Sequence, residues 1–225
     1  MSLSSVCINF AYYNKMEIES HPFEPFLPQN AKLLMLGTFP PSPKRWCMEF
    51  YYPNFQNDMW RIFGLIFFDD KEHFIKQGEN KSSQENKKIS RGDKMFSLED
   101  IKSFLNEEGI AIYDTAKRIR RKKGTASDKD LEIVEKSDLD GMLHDLKDCR
   151  AVLTAGQLAT DVFTEHFGFL APKKMGEYSE FSFEGRTLRL YRMPSSSRAY
   201  PMKIEKKAEY YRSMFEQIFG KTDMQ

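Results

Sequence analysis

Hydrophobic positions along the chain gather into four short runs that read as buried strands: KLLMLG (Lys32–Gly37), GIAIYD (Gly109–Asp114), RAVLTAG (Arg150–Gly156) and RTLRLYRMP (Arg186–Pro194). A short continuous apolar run bounded by Gly or Pro fits a central parallel strand, covered on both faces, better than a helix. Between these runs apolar residues recur at helical spacing over Asn57–Phe68, Leu98–Asn106, Leu139–Leu146, Leu158–Phe167 and Ile204–Phe219. Ser97, with Asp100 three residues on, forms a capping box at the start of the second helix. Strands alternating with helices predict an α/β fold, a three-layer sandwich around a central, mainly parallel four-stranded sheet. Ligands of such sheets sit beyond the carboxyl ends of the strands. The residues after each run, Gly37 to Pro41, Asp114-Thr115, Thr154 to Gly156 and Met193 to Ser197, are therefore expected to converge on one site.

Residues 69–94 lack this periodicity and are rich in Lys, Glu, Asn and Ser, which predicts a hydrophilic insertion. Residues 1–30 read as an N-terminal arm ahead of one domain over 31–220. The apolar run near the start is too short, and lacks the basic lead, for a signal peptide or a membrane span. At 225 residues and 40% hydrophobic, the chain can bury a core without disulfides or metal. Cys7, Cys47 and Cys149 are odd in number and scattered, which argues against a disulfide framework and for a reducing, cytoplasmic setting. A monomer without membrane contact is expected.

Charge changes the picture only through its distribution. The formal net charge is +1, but KRIRRKK (Lys117–Lys123) places six cations in seven positions, and KIEKKAEYYR (Lys203–Arg212) adds several beside two tyrosines. Each segment is either a solvated face or a surface for phosphates.

Several chemistries are excluded. His21, His73, His144 and His166 have no metal-ligand spacing, so no metal is expected. The Pro-Ser-Ser-Ser loop lacks the glycines of a nucleophile elbow. Gly37-Thr-Phe-Pro-Pro has neither the Lys-Ser/Thr ending of a P-loop nor dinucleotide-fold glycine spacing. What remains is the Gly37–Phe39 turn, the Asn57-Asp58 pair, the serine loop, and an unusual density of aromatics over Trp46–Trp60. Phe39 reads as a stacking platform or as core, Asn57 as a site residue or a helix cap, and the serines as phosphate ligands or a turn.

At these residues the chain resembles the uracil-DNA glycosylase superfamily, most closely its hypoxanthine-DNA glycosylase branch. Gly37-Thr38-Phe39-Pro40-Pro41 is similar to the first loop there, Gly-Ser-Phe-Pro-Gly. Tyr51, Tyr52 and then NFQNDMWR match a tyrosine pair followed by a His-Pro-Arg-Asn-Ala-Phe-Trp-Arg-like segment, with Asn57, Trp60 and Arg61 in register. Gly109–Thr115 resembles the strand GIALWDV, Lys117–Asp128 a basic stretch ending in Gly-Ser/Thr and a Ser-Asp pair, and Pro194–Ala199 the loop Pro-Ser-Thr-Ser-Pro-Ala. The likeness runs in order from about Leu33 to the final helix. Pro41, Asp58 and Arg198 depart from the branch pattern, and the 69–94 insertion is longer.

The resemblance implies a cofactor-free, monofunctional DNA glycosylase of base excision repair that flips a deaminated base out of DNA, hypoxanthine by preference and uracil next. Extrusion costs roughly a few kcal/mol, and one aromatic face returns about 1–3 kcal/mol. The implied base pocket is Gly37, Thr38, Phe39 and Tyr52. Asn57 is implied as the residue that positions the attacking water, and Asp58 as a base or a stabiliser of the sugar cation, or a residue pointing away on its helix. Ser195, Ser196 and Ser197 would bind backbone phosphates, with Arg198 and the run Arg120, Arg121, Lys122 adding charge. Two other readings stay open: a nucleic-acid-binding module that kept the fold without catalysis, and an enzyme acting on free nucleosides.

Overall fold

The computed structural model describes residues 17–77, 94–122 and 128–220. Its strands are β1 (Ile18–Ser20), β2 (Leu33–Gly37), β3 (Ile75–Gln77), β4 (Lys94–Phe96), β5 (Ile110–Asp114), β6 (Ala116–Arg121), β7 (Leu131–Lys136), β8 (Ala151–Ala155), β9 (Tyr178–Phe183) and β10 (Arg186–Met193). The helices are α1 (Met59–Phe67), α2 (Leu98–Glu108), α3 (Leu139–Asp145), α4 (Gln157–Phe167) and α5 (Ile204–Phe219). The four apolar runs become β2, β5, β8 and β10, parallel to one another in one sheet of order β5-β2-β8-β10-β9. Every residue of β2 and β5 is buried, so both faces of the sheet are covered there.

The sheet has five strands rather than the expected four, and it is mixed. β9 adds an antiparallel edge, joined to β10 through Glu184-Gly185, both at positive φ (46° and 75°). Two such residues make the tight hairpin whose twist matches its strands. The first half of β9 alternates between half-buried and exposed positions, so it carries no continuous apolar run.

A second sheet, β1-β6-β7, is antiparallel, and it takes up residues 117–121 of KRIRRKK in β6. Ala116 and Ile119 point into a small core, Lys117 is exposed, and Arg118 and Arg120 are half-buried, while the Arg121 side chain is tucked in. β1 belongs to the segment expected to be an arm. Residues 17–30 instead pack onto the domain: Ile18–Ser20 pair with Arg118–Arg120, and Phe26 bridges Ile112. Residues 1–16 lie outside the described residues. The expected insertion is folded at both ends, where β3 pairs with β4 and Phe74 is buried; residues 78–93 lie outside the described residues.

The helices start and stop as their caps dictate. The Ser97 hydroxyl accepts from Asp100 N at 3.5 Å to open α2, and Gly109 closes it in the left-handed conformation (φ 65°). α1 is buried over most of its length and packs on α5 through Phe63 and Phe215, whose rings are 5.3 Å apart. Arg212 of α5 donates to the carbonyls of Leu65 and Ile66, acceptors that the end of α1 leaves unsatisfied. No described helix is long and apolar enough to cross a membrane.

Candidate functional site

The four parallel strands end level with one another. Gly37 is in register with Asp114, Leu36 with Thr154, and Met193 with Ala155. The loops that follow surround a cavity of about 130 Å³, lined by Gly37 to Pro41, by Tyr52, Pro53, Asn54, Gln56 and Asn57, and by Asp114, Asp128, Ala155 and Ser195 to Ser197. All four strand-end segments thus reach one place. The space is smaller than the roughly 300 Å³ at which sites begin to enclose a drug-sized ligand, and it suits one ring system rather than a whole nucleotide.

The first loop is built around Gly37. A Cβ there would lie 2.4 Å from Asp114 Oδ1, so only glycine lets that carboxyl sit against the strand end. Thr115 N and Oγ1 both donate to Gly37 O, and Ala116 N donates to Thr38 O, which fixes the turn from below. Phe39 is half-buried: one edge meets the His21 ring at 5.3 Å and the Arg121 guanidinium lies 5.9 Å from its centroid, while the ring also lines the cavity.

Two hydroxyls at the cavity have no hydrogen-bond partner. Thr38, only 5% exposed, leans toward Asp128 closely enough to oppose the effect of burial on that carboxyl, yet its Oγ1 makes no well-formed hydrogen bond. Tyr52 Oη is likewise buried and unpaired, and its residue sits at φ 49°, a strained backbone for a bulky side chain. Burial keeps Tyr52 neutral, its pKa well above the ordinary tyrosine value, with smaller contributions from Tyr211, Asp114 and Asp128. Unsatisfied buried hydroxyls in a native fold mark a place where a polar partner belongs.

A buried carboxyl, Asp114, a half-buried one, Asp128, and a histidine behind Asp114 were not singled out as site residues from the sequence. Asp114 Oδ2 lies 2.9 Å from His21 Nε2, and His21 Nδ1 lies 2.9 Å from Phe23 O. Burial leaves Asp114 above an ordinary carboxyl, and the His21 hydrogen bond and charge oppose that rise only in part. Asp128 opens a short 3-10 turn before β7 and is pushed up to about 6, by burial first, against the Thr38 hydroxyl and with a further rise from the Asp114 charge. Asp114 was marked only as a strand end; His21, 93 residues away, carried no local signal.

Asn57 lines the cavity and also caps α1, its Oδ1 accepting from Met59 N at 2.9 Å. The two readings coexist, because a carbonyl oxygen has a second lone pair. Asp58 departs from its expected place in the chemistry, since it is not part of the cavity lining. Its Oδ1 accepts from Arg198 Nε at 2.7 Å and its Oδ2 lies 3.5 Å from Lys207 Nζ, and Lys207 is fully buried. Lys207 also donates to Ser197 O at 2.8 Å, and Asp58 N donates to Ser196 O. Burial pulls Lys207 below an ordinary lysine, with Asp58 opposing. Asp58, Arg198 and Lys207 therefore form a clamp under the serine loop, and Tyr211 Oη secures its start at Pro194 O. Arg198 gives its Nε to this clamp and is otherwise exposed.

The serines line the cavity, with Ser195 Oγ accepting from Ser197 N and Ser197 Oγ from Ala199 N. As acceptors they keep their own hydroxyl protons for an outside group.

The basic run differs most from expectation. Arg121 is held by Glu19 at 2.9 and 3.0 Å and donates to Pro40 O; Arg120 pairs with Glu132, and Lys117 and Arg118 with Glu135. Cross-strand carboxylates on β1 and β7 consume this charge. Lys122 is exposed, and Lys123 lies outside the described residues. Most of the dense aromatics are core: Phe50, Tyr51 and Trp60 are buried, and only Phe39 and Tyr52 reach the cavity.

No protein-family model matches the chain, and no curated protein is similar to it. Among solved structures, the chain is similar to the solution NMR structure of a "putative Uracil DNA glycosylase" from Methanosarcina acetivorans, with a TM-score of 0.55 and 19% identity over 89% of this chain and 99% of that one. At that identity the likeness is one of fold.

Proposed function

We propose that the chain is a DNA glycosylase of base excision repair, taking one extruded base, hypoxanthine by preference and uracil next, and hydrolysing its N-glycosidic bond. The observation that carries this reading is the cavity at the ends of the parallel strands, sized for one ring system, with an aromatic wall at Phe39 and unpaired hydroxyls at Thr38 and Tyr52. The likeness of fold supports it.

In this reading the chemistry divides among the loops. Phe39 stacks on the extruded base and offsets the cost of unstacking it. Thr38 and Tyr52 complete their hydrogen bonds on its polar edge. Asn57 Oδ1, pinned on one side by Met59 N, accepts from a water with its free lone pair and aims it at the sugar. Ser195 and Ser197 donate to the flanking phosphates, and the Asp58–Arg198–Lys207 clamp keeps their loop at a fixed distance from α1.

A panel of end-labelled oligonucleotides, each carrying one hypoxanthine, uracil, xanthine or mismatched thymine, scored for alkali-labile abasic sites, tests the proposal. Release of hypoxanthine at the highest rate is expected, lost by at least about 100-fold in Asn57→Ala. Absence of release from every substrate would sink it. A second reading, an enzyme acting on free nucleosides, is favoured by one observation: Arg120 and Arg121, two of the cations expected to meet DNA, are matched internally. Salt-independent substrate binding would select it.

A further inference from the structure

We propose that Asp128 is a catalytic acid, a carboxyl that gives its proton to the departing base. The inference rests on the glycosylase reading and adds a residue which that reading leaves idle. Breaking the glycosidic bond leaves an electron pair on the base, and a proton donor within reach lowers that barrier.

The geometry singles out Asp128. The described cavity lining holds two carboxyls, Asp114 and Asp128, and no lysine, arginine or histidine. Two carboxyls sharing one buried site do not both ionise freely, so a proton is retained between them. Their surroundings decide which keeps it. His21 stands behind Asp114, favouring its charged form, whereas among the described residues Asp128 meets the Thr38 hydroxyl and the Asp114 charge. Burial and that charge bring Asp128 to about 6, which suits a donor near neutral pH. Asp128 Oδ2 would lie 3.4 Å from a Cβ on Gly156, at the end of β8, so the group stands over the strand ends. The unpaired Thr38 and Tyr52 hydroxyls mark independently where the polar edge of a ligand belongs.

Among the described residues, the other charges beside Asp128 in the chain are Lys129 and Asp130 on the same turn and Lys122, whose N donates to Asp130 O. Tyr52 is neutral, and the Asp58–Arg198–Lys207 group lies at the serine loop carbonyls, outside the lining. In the step, the C1′–N bond breaks and its electron pair leaves with the base, which takes the Asp128 proton on a ring nitrogen or exocyclic oxygen. The water held by Asn57 bonds to C1′ and sheds a proton to solvent, and Asp128 recovers one from solvent. The sum is hydrolysis, with no further reactant.

Single-turnover base release by the full chain, followed between about pH 5 and 8, tests this. The parent rate should fall about tenfold per pH unit above about 6. Asp128→Asn should be slower by about 10²–10⁴-fold at the acid end and should lose the slope, while Asp128→Glu keeps it. Release of 5-fluorouracil, a base that leaves more readily unprotonated, should suffer less than that of uracil. Unchanged affinity for DNA carrying a 2′-fluoro, non-cleavable nucleotide shows that the variant is folded. An Asp128→Asn enzyme with parental rates and the parental slope overturns the proposal alone. No release by the parent from any substrate overturns the glycosylase reading and this proposal with it.

Discussion

Asp58 and Asp128 are both acidic residues drawn out of solvent near the carboxyl end of the sheet, but they keep different company. Asp58 has a cation on each oxygen, Arg198 and Lys207, and the pair reaches across 140 residues to hold a loop. Asp128 has no cation among the described cavity-lining residues, a hydroxyl that does not quite bond to it, and a second carboxyl nearby. A neutralised carboxylate is a structural part, because its charge is already committed. An uncompensated one holds a raised pKa that folding alone gives no reason to keep.

The largest expected effect breaks the Asp58 side. Asp58→Ala leaves the fully buried Lys207 without its counter-charge and should cost about 3–5 kcal/mol in urea unfolding. Asp58→Asn combined with Lys207→Met should recover most of that loss, since no charge is then left buried. A loss under 1 kcal/mol in the single variant would make the clamp incidental.

The Asp128 side should respond in the opposite direction. A carboxyl raised in the folded state stabilises only while protonated, so its contribution is present below the unfolded pKa and disappears as pH rises through the folded one. With Asp128 moving from 3.8 to about 6, Asp128→Asn should be more stable than the parent by up to about 3 kcal/mol at pH 8, with the gap closing by about pH 4. Paired unfolding curves at the two pH values measure it.

A smaller effect isolates the ligand. Phe39→Ala should weaken base release by about 1–3 kcal/mol in single-turnover kinetics, leave affinity for undamaged duplex unchanged, and add independently to the stability loss of the Asp58 variant. The smallest carries the comparison over to cations. If β6 meets a duplex, Lys122→Ala should flatten the log–log salt dependence of binding by about 0.9, one phosphate contact, whereas Arg120, already matched by Glu132, should change it less. Equal changes in fluorescence anisotropy titrations would mean that the internal pairs open on DNA.

How far the sequence carries depends on how local each signal is. The four apolar runs became strands with ends within a residue or two of expectation, since uninterrupted hydrophobicity bounded by Gly or Pro is a local property. Convergence of the strand-end loops followed from that topology. β9 was missed because its positions alternate, although Glu184-Gly185 between two β-rich stretches was a usable hairpin signal. KRIRRKK read as a charged surface because the carboxylates that consume its charge, Glu19, Glu132 and Glu135, reach it only through pairing with β1 and β7. His21 and the Asp58–Arg198 pair were invisible for the same reason: nothing near them in the chain announces a partner about a hundred residues away.

The grip of Arg121 on both Glu19 and Pro40 O ties the beginning of the described chain to the first cavity loop, 102 residues separating Arg121 from Glu19. During synthesis, then, the segment that carries His21 emerges well before the strand on which it docks and is among the last to find its place. At about 5–20 residues per second the ribosome needs roughly 5–20 s to deliver the strand on which it docks. Contacts of such separation also form late in folding. The sheet can assemble around β2 and β5 before His21 has reached Asp114, so a nascent chain acquires its shape before that carboxyl gains its partner.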